Sequence, residues 1–73
     1  RSDDIKSIYN SEDIKMTLTL LHSYKVSYIY VGELEKAYYS DVGLSKFDRM
    51  VSGGMIEQVF QNNGVTIYRT FIK

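Results

Sequence analysis

The 73-residue chain contains no cysteine, so neither a disulfide framework nor a thiolate metal site reinforces it. A domain of this length buries only about 60% of the surface its unfolded chain exposes, which leaves little stability in reserve. No apolar run exceeds about four residues, far short of the roughly 20 that a membrane-spanning helix needs, and no stretch reads as a signal peptide. Excess charge of one sign is also missing: nine basic residues balance nine acidic ones, and both are scattered. A nucleic acid or an anionic membrane surface would call for a basic patch, so neither is expected as the main partner.

Catalytic patterns are equally scarce. GxSxG and SxxK do not occur, and the lone His22 has no HxxxH or HxxE pairing, so it reads as a helix-surface residue. Gly53-Gly54 has neither the GxxxxGK[ST] nor the GxGxxG spacing of a phosphate loop and precedes a strand. The acids Asp3, Asp4, Glu12 and Asp13 lack the DxDxDG arrangement of a calcium loop and sit where helix N-termini favour negative charge. The chain alone is therefore expected to have no catalytic residues, no metal site and no cofactor.

What is present is pattern. Val26 to Val31 is an unbroken run of β-branched and aromatic residues, with one serine, that ends in Gly32 and passes at once into Glu-Leu-Glu-Lys-Ala. Val26, Tyr28 and Tyr30 fall on one face of such a strand and Ile29 and Val31 on the other, which predicts a central strand covered on both sides. Helical spacing predicts helices near 3–9 (with an edge strand as the alternative), 11–24, 33–39 and 43–51, the second capped by Asn10 or Ser11. Asn62-Asn63-Gly64 predicts a hairpin between strands 55–61 and 65–72, its turn residues at positive φ. Together these give a single α/β domain over 1–73: a mixed sheet of about three strands packed against the helices. The 26–31 strand is expected beside the 65–72 strand, with 55–61 at the edge.

Four residues are candidates for binding. Glu33 and Glu35 stand at the end of the first strand, where ligands gather in open α/β sheets. Two residues apart on a helix they do not face each other, and first-turn acids also have a plain electrostatic reason. Tyr38 and Tyr39 suit an interface as well as a core edge, whereas Tyr28 and Tyr30 are expected to pack the sheet.

A longer series carries a resemblance: Asp4-Ile5, Ile8-Tyr9, Leu20-Leu21, Tyr24, Val26, Tyr28 to Glu35, Tyr38-Tyr39, Gly43-Leu44, Lys46-Phe47-Asp48, Val59-Phe60, Asn63-Gly64-Val65 and Ile67-Tyr68-Arg69. The pattern YxYVGxLE…YY…GLxKF…GVxIYR resembles the C-terminal segment of the large "YYY" membrane proteins of archaea and Chloroflexi. These polytopic proteins are grouped with glycosyltransferases of the GT-C type, which use lipid-phosphate-linked sugars. The resemblance implies that the chain, which begins with Arg1, is the extracytoplasmic soluble piece of a multi-spanning parent. It also implies that the membrane-embedded remainder is its partner, with a glycan or another protein as a further one. The catalytic acids of that enzyme type lie on loops between membrane helices, so no catalytic residue carries over to this sequence. Lys25 departs from the pattern, which would place Gly or Asn there. A free-standing protein-interaction module is the alternative reading.

Overall fold

The computed structural model describes residues 2–72. In order its elements are α1 (Ser2–Asn10), α2 (Ile14–Ser23), β1 (Tyr28–Val31), α3 (Glu33–Tyr38), α4 (Asp41–Ser52), β2 (Ile56–Asn62) and β3 (Val65–Thr70). The α/β class and the strand order β1-β3-β2 are as the sequence predicts. The sheet is antiparallel at every pairing rather than mixed. The helical crossover α3–α4 does join two strands of the same direction, β1 and β2, but the second strand of the hairpin slots between them.

What differs from expectation is the covering of β1, which the two-sided apolar run predicts on both faces. Ile29 and Val31 are buried, while Tyr28 and Tyr30 are 60% and 50% exposed, so β1 is covered on one face only. The inward side chains of the sheet (Ile29, Val31, Ile56, Tyr68) meet Ile8 of α1, Leu21 of α2 and Phe47 and Met50 of α4 in one core. Phe47 and Met50 have no exposed surface at all.

Local chemistry sets the helix ends. Asp13, rather than Asn10 or Ser11, caps α2: its Oδ1 accepts the Met16 N–H at 3.0 Å, and the Ser11 hydroxyl in turn accepts the Asp13 N–H. Ser40 caps α4 by accepting the Gly43 N–H at 3.0 Å, so the helix starts at Asp41, two residues ahead of the expected 43, and Gly43 lies inside it. Both α2 and α4 stop in the same way. After α2, the Val26 N–H reaches Leu21 O and the Lys25 N–H reaches His22 O; after α4, the Met55 N–H reaches Met50 O and the Gly54 N–H reaches Val51 O. This paired closure requires a left-handed residue just past the helix. Gly54 supplies it at φ 75°, and at the other site Lys25 does so at φ 52°. The position that the resemblance assigns to Gly or Asn is thus the one where the backbone favours them.

The hairpin forms around Asn63-Gly64, but neither residue has a positive φ. The Asn62 side chain accepts the Gly64 N–H at 3.3 Å instead. A bulge at Val59 supplies the extra strand twist that an unprimed turn does not.

The closest packing of the molecule is where the C-terminal end of α1 meets α4. A methyl group on Gly43 would fall far inside van der Waals distance of the carbonyls of Tyr9 and Asn10. Around this joint Ser40 donates its hydroxyl to Asn10 O, its N–H goes to Asn10 Oδ1 at 2.8 Å, and Lys46 Nζ donates to Ile8 O and Gly43 O. Two substitutions test these backbone assignments by urea unfolding. Gly43→Ala forces backbone away from backbone and should cost about 3 kcal/mol, most of what a core this small supplies. Lys25→Gly relieves the left-handed strain and should add about 0.5–1 kcal/mol, raising the melting temperature by several degrees.

Candidate functional site

Gly32 and the first turn of α3 decide where the expected site residues go. The Gly32 N–H is bonded to Glu35 Oε1 at 2.8 Å, so Glu35 closes the start of its own helix. Glu33 points the other way, its carboxylate lying against Gly64 in the hairpin turn. The two carboxylates are not brought together. The tyrosines are: Tyr38 and Tyr39 meet edge to face, centroids 4.9 Å apart, and Tyr39 stacks on Tyr9 at 4.6 Å with the rings 8° from parallel. Tyr9 then makes an edge contact with Phe47, which anchors the stack in the core.

The result is an aromatic ridge with a rigid inner end and a free outer one. Tyr38 is 71% exposed, and Leu34, one turn before it on α3, is 80% exposed. An open groove of about 340 Å³ runs along Leu34, Glu35, Ala37 and the two tyrosines, and another of about 300 Å³ lies on the α1 side between Tyr38–Tyr39 and Asp3, Ile5 and Lys6. Such an open surface can seat apolar or aromatic groups of a partner.

Three further residues escaped the sequence reading. Tyr9 donates its hydroxyl to Tyr30 O at 2.8 Å. That carbonyl lies on the open edge of β1, because carbonyl directions alternate along a strand and that of Ser27, three residues earlier, is turned towards β3, where it accepts from Thr70. The phenol therefore blunts the edge against strand addition. Lys46 is fully buried, with carbonyls as its polar partners and its ammonium 4.4 Å from the Phe47 ring centre. The signal was in the chain: Gly43, Lys46, Phe47 and Met50 form a buried stripe at i, i+3, i+4 and i+7, with a lysine in the middle of it. Phe60 is the third: a bulge at Val59 turns its half-exposed ring outward beside Ile67. His22 is exposed on the last turn of α2, at the surface as expected.

The outward side of α4 presents Asp41, Val42, Ser45, Asp48 and Arg49, two acids against one base, and its other base, Lys46, is buried. This face would repel a phosphate backbone as much as attract it. Among the described residues there is no grouping of three or more His, Asp or Glu side chains placed to hold a metal, and no helix is long and apolar enough to cross a membrane.

Three groups, Lys46 and Tyr68 buried and Tyr9 half-buried, make stability depend on alkaline pH. Burial, with Arg49 adding to it, pushes the Lys46 ammonium down from 10.5 to about 8. The unfolded chain then holds more protons than the folded one between those values, so stability rises with pH across that window. Burial first, then neighbouring charge from Glu35 at Tyr9 and from Asp48 at Tyr68, raises both phenols from 10.0 to about 12. Their contribution is complete below pH 10 and lost as pH climbs to 12. Unfolding free energy measured by urea titration should therefore rise from pH 8, peak near pH 10 and fall beyond it. Lys46→Met should remove the rise and keep the fall.

No family model, no curated protein and no solved structure matches the chain, so its motifs and its geometry are what its function must be read from.

Proposed function

We propose that the chain is a non-catalytic, extracytoplasmic docking domain of a multi-spanning archaeal-type membrane protein that resembles lipid-phosphate-sugar-dependent glycosyltransferases. In this reading its α3 ridge packs on the membrane-embedded remainder of that protein and covers the acceptor side of the parent's site. The observation that carries it is the pair Leu34 and Tyr38, two large apolar side chains one turn apart that are 80% and 71% exposed beside two open grooves. The motif supports it from the other side. Its GLxKF part builds the α1–α4 joint through Gly43, Lys46 and Phe47, and its GELE part caps α3 through Glu35, so most of the series serves to hold the Tyr38–Tyr39 ridge in place.

A free-standing interaction module is the second reading, and the aromatic outer face of the sheet favours it. The encoding gene separates the two: about ten or more apolar stretches of roughly 20 residues in the same reading frame support the docking domain, and a frame without them supports the module. Within the docking reading, the double variant Leu34→Ser with Tyr38→Ser should leave folding stability within about 0.5 kcal/mol. It should also weaken binding of the chain to the detergent-solubilised membrane portion at least about tenfold, the worth of roughly 1.4 kcal/mol. Unchanged binding would remove the ridge from the interface. A glycan role predicts NMR shift changes at Tyr38 and Tyr39 on titration with lipid-linked sugar, and a flat titration excludes it.

A further inference from the structure

The inner face of the sheet is apolar at one end only. Ile29, Ile56 and the Tyr68 ring lie in the core, but towards the hairpin turn the inward row is Gln61, Thr66 and Val31. Gln61 faces inward because of the bulge. Counting along β2 from the buried Ile56, alternation would give residues 58 and 60 that direction, and the extra Val59 turns Phe60 out and Gln61 in. An aromatic ring is thus kept out of this end of the layer and an amide placed in it. Across from the amides, α4 presents Asp41, Leu44, Ser45 and Asp48 at i, i+3, i+4 and i+7. Between the two walls lies an open cleft of about 250 Å³, which Lys36 of α3 also lines.

Hydrogen bonds within the cleft give it a direction. At one end the Tyr68 ring packs on Phe47, centroids 5.5 Å apart, and its hydroxyl donates to Asp48 Oδ1 at 3.2 Å. Asp48 keeps Oδ2 there as an acceptor. The two amides run head to tail: Gln58, which pairs with Tyr68, donates from Nε2 to Gln61 Oε1 at 3.1 Å. The Gln58 oxygen is left as an acceptor on the Asp48 side and the Gln61 NH2 as a donor at the other end, where the Thr66 hydroxyl and the Lys36 ammonium join it. One end therefore accepts and the other donates. The rows that carry them, Gln58–Tyr68 and Gln61–Thr66, are two residues apart along β3, about 7 Å.

We propose that this cleft binds a small zwitterion, a free α-amino acid, with its ammonium on Asp48 and Gln58 and its carboxylate on Gln61 and Lys36. The two unlike ends select the ligand. Two acids, Asp41 and Asp48, against one base disfavour a free anion, and a plain amine would leave the donor end unmatched. Because the ends are only about 7 Å apart, the two charges of the ligand stand on neighbouring carbons and not at the ends of a longer chain. The cleft is smaller than the roughly 300–1,000 Å³ of sites for drug-sized ligands, so the ligand's own side chain is short. With so few atoms held in an open site, the dissociation constant is about 0.1–10 mM. The cleft shares no residue with the grooves beside the α3 ridge, so binding here is independent of what that ridge holds.

NMR titration of the 73-residue chain at neutral pH tests it, with glycine, alanine and serine up to about 50 mM set against ethylamine, acetate and glycerol. The amino acids should shift the side-chain amides of Gln58 and Gln61 and the backbone amide of Thr66 saturably. Each of the other three compounds should bind at least about tenfold more weakly. Asp48→Asn keeps an acceptor for the Tyr68 hydroxyl and should weaken glycine binding at least about tenfold. Gln61→Glu, at an exposed site, turns the donor end into a second acceptor and should weaken glycine while strengthening ethylenediamine. An unshifted remainder of each variant's spectrum checks that the fold is kept. Flat titrations with all three amino acids, equal shifts from ethylamine, acetate or glycerol, or glycine affinity unchanged in either folded variant would overturn the proposal.

Discussion

The end of α1 sits directly on α4, and this joint is the constraint on which the other packing depends. The last carbonyls of a helix have no partner within it and carry the negative end of its dipole. Here α4 provides for them: the Ser40 hydroxyl takes Asn10 O, the Lys46 ammonium takes Ile8 O, and Gly43 lets the two backbones approach without a side chain between them. Because α1 is held there, Ile8 fills the core and Tyr9 lies between Phe47 and Tyr39. Tyr9 then reaches the edge of β1 and supports the stack that ends in Tyr38. Remove the joint and both the sheet edge and the ridge lose their backing.

The same joint explains a buried charge. Lys46 has no accessible surface, and the one ion pair among the described residues is Arg69–Glu57, at the surface. A buried ammonium is tolerable when its protons are bonded: Ile8 O, at the C-terminal end of α1, supplies an acceptor in a favourable field, and Gly43 O is the second acceptor. Burial, with Arg49 beside it, lowers the pKa of this ammonium, and its bond to Ile8 O links chain segments 38 residues apart.

How far the sequence could be read follows from which physical signals are local. Helical stripes, the Asn-Gly turn and the Gly32 exit are local, and the elements they predict are present. Burial of Tyr28 and Tyr30 was not a local matter. It depended on whether a further layer would cover the outer face of the sheet, and with the core helices packed on the other face these two rings stay in water. Strict alternation also failed at Phe60, because a bulge leaves no composition signal in a run such as Gln-Val-Phe-Gln-Asn. Of the four candidate site residues, the tyrosines are brought together and the glutamates are divided between a cap and a turn. The resemblance placed Gly or Asn at position 25, and the left-handed backbone of Lys25 gives that pattern its physical reason.

Native-state hydrogen exchange followed by NMR tests the central claim most directly. If α1 is locked by α4, amides that bond into its last turn, such as that of Ser11 just past the helix bonded to Ser7 O, should exchange only through global unfolding, with the same free energy as those of Phe47 and Met50. Exchange of the α1 amides through local fraying, several kcal/mol below that of α4, would show that α1 is an appendage and would contradict the account.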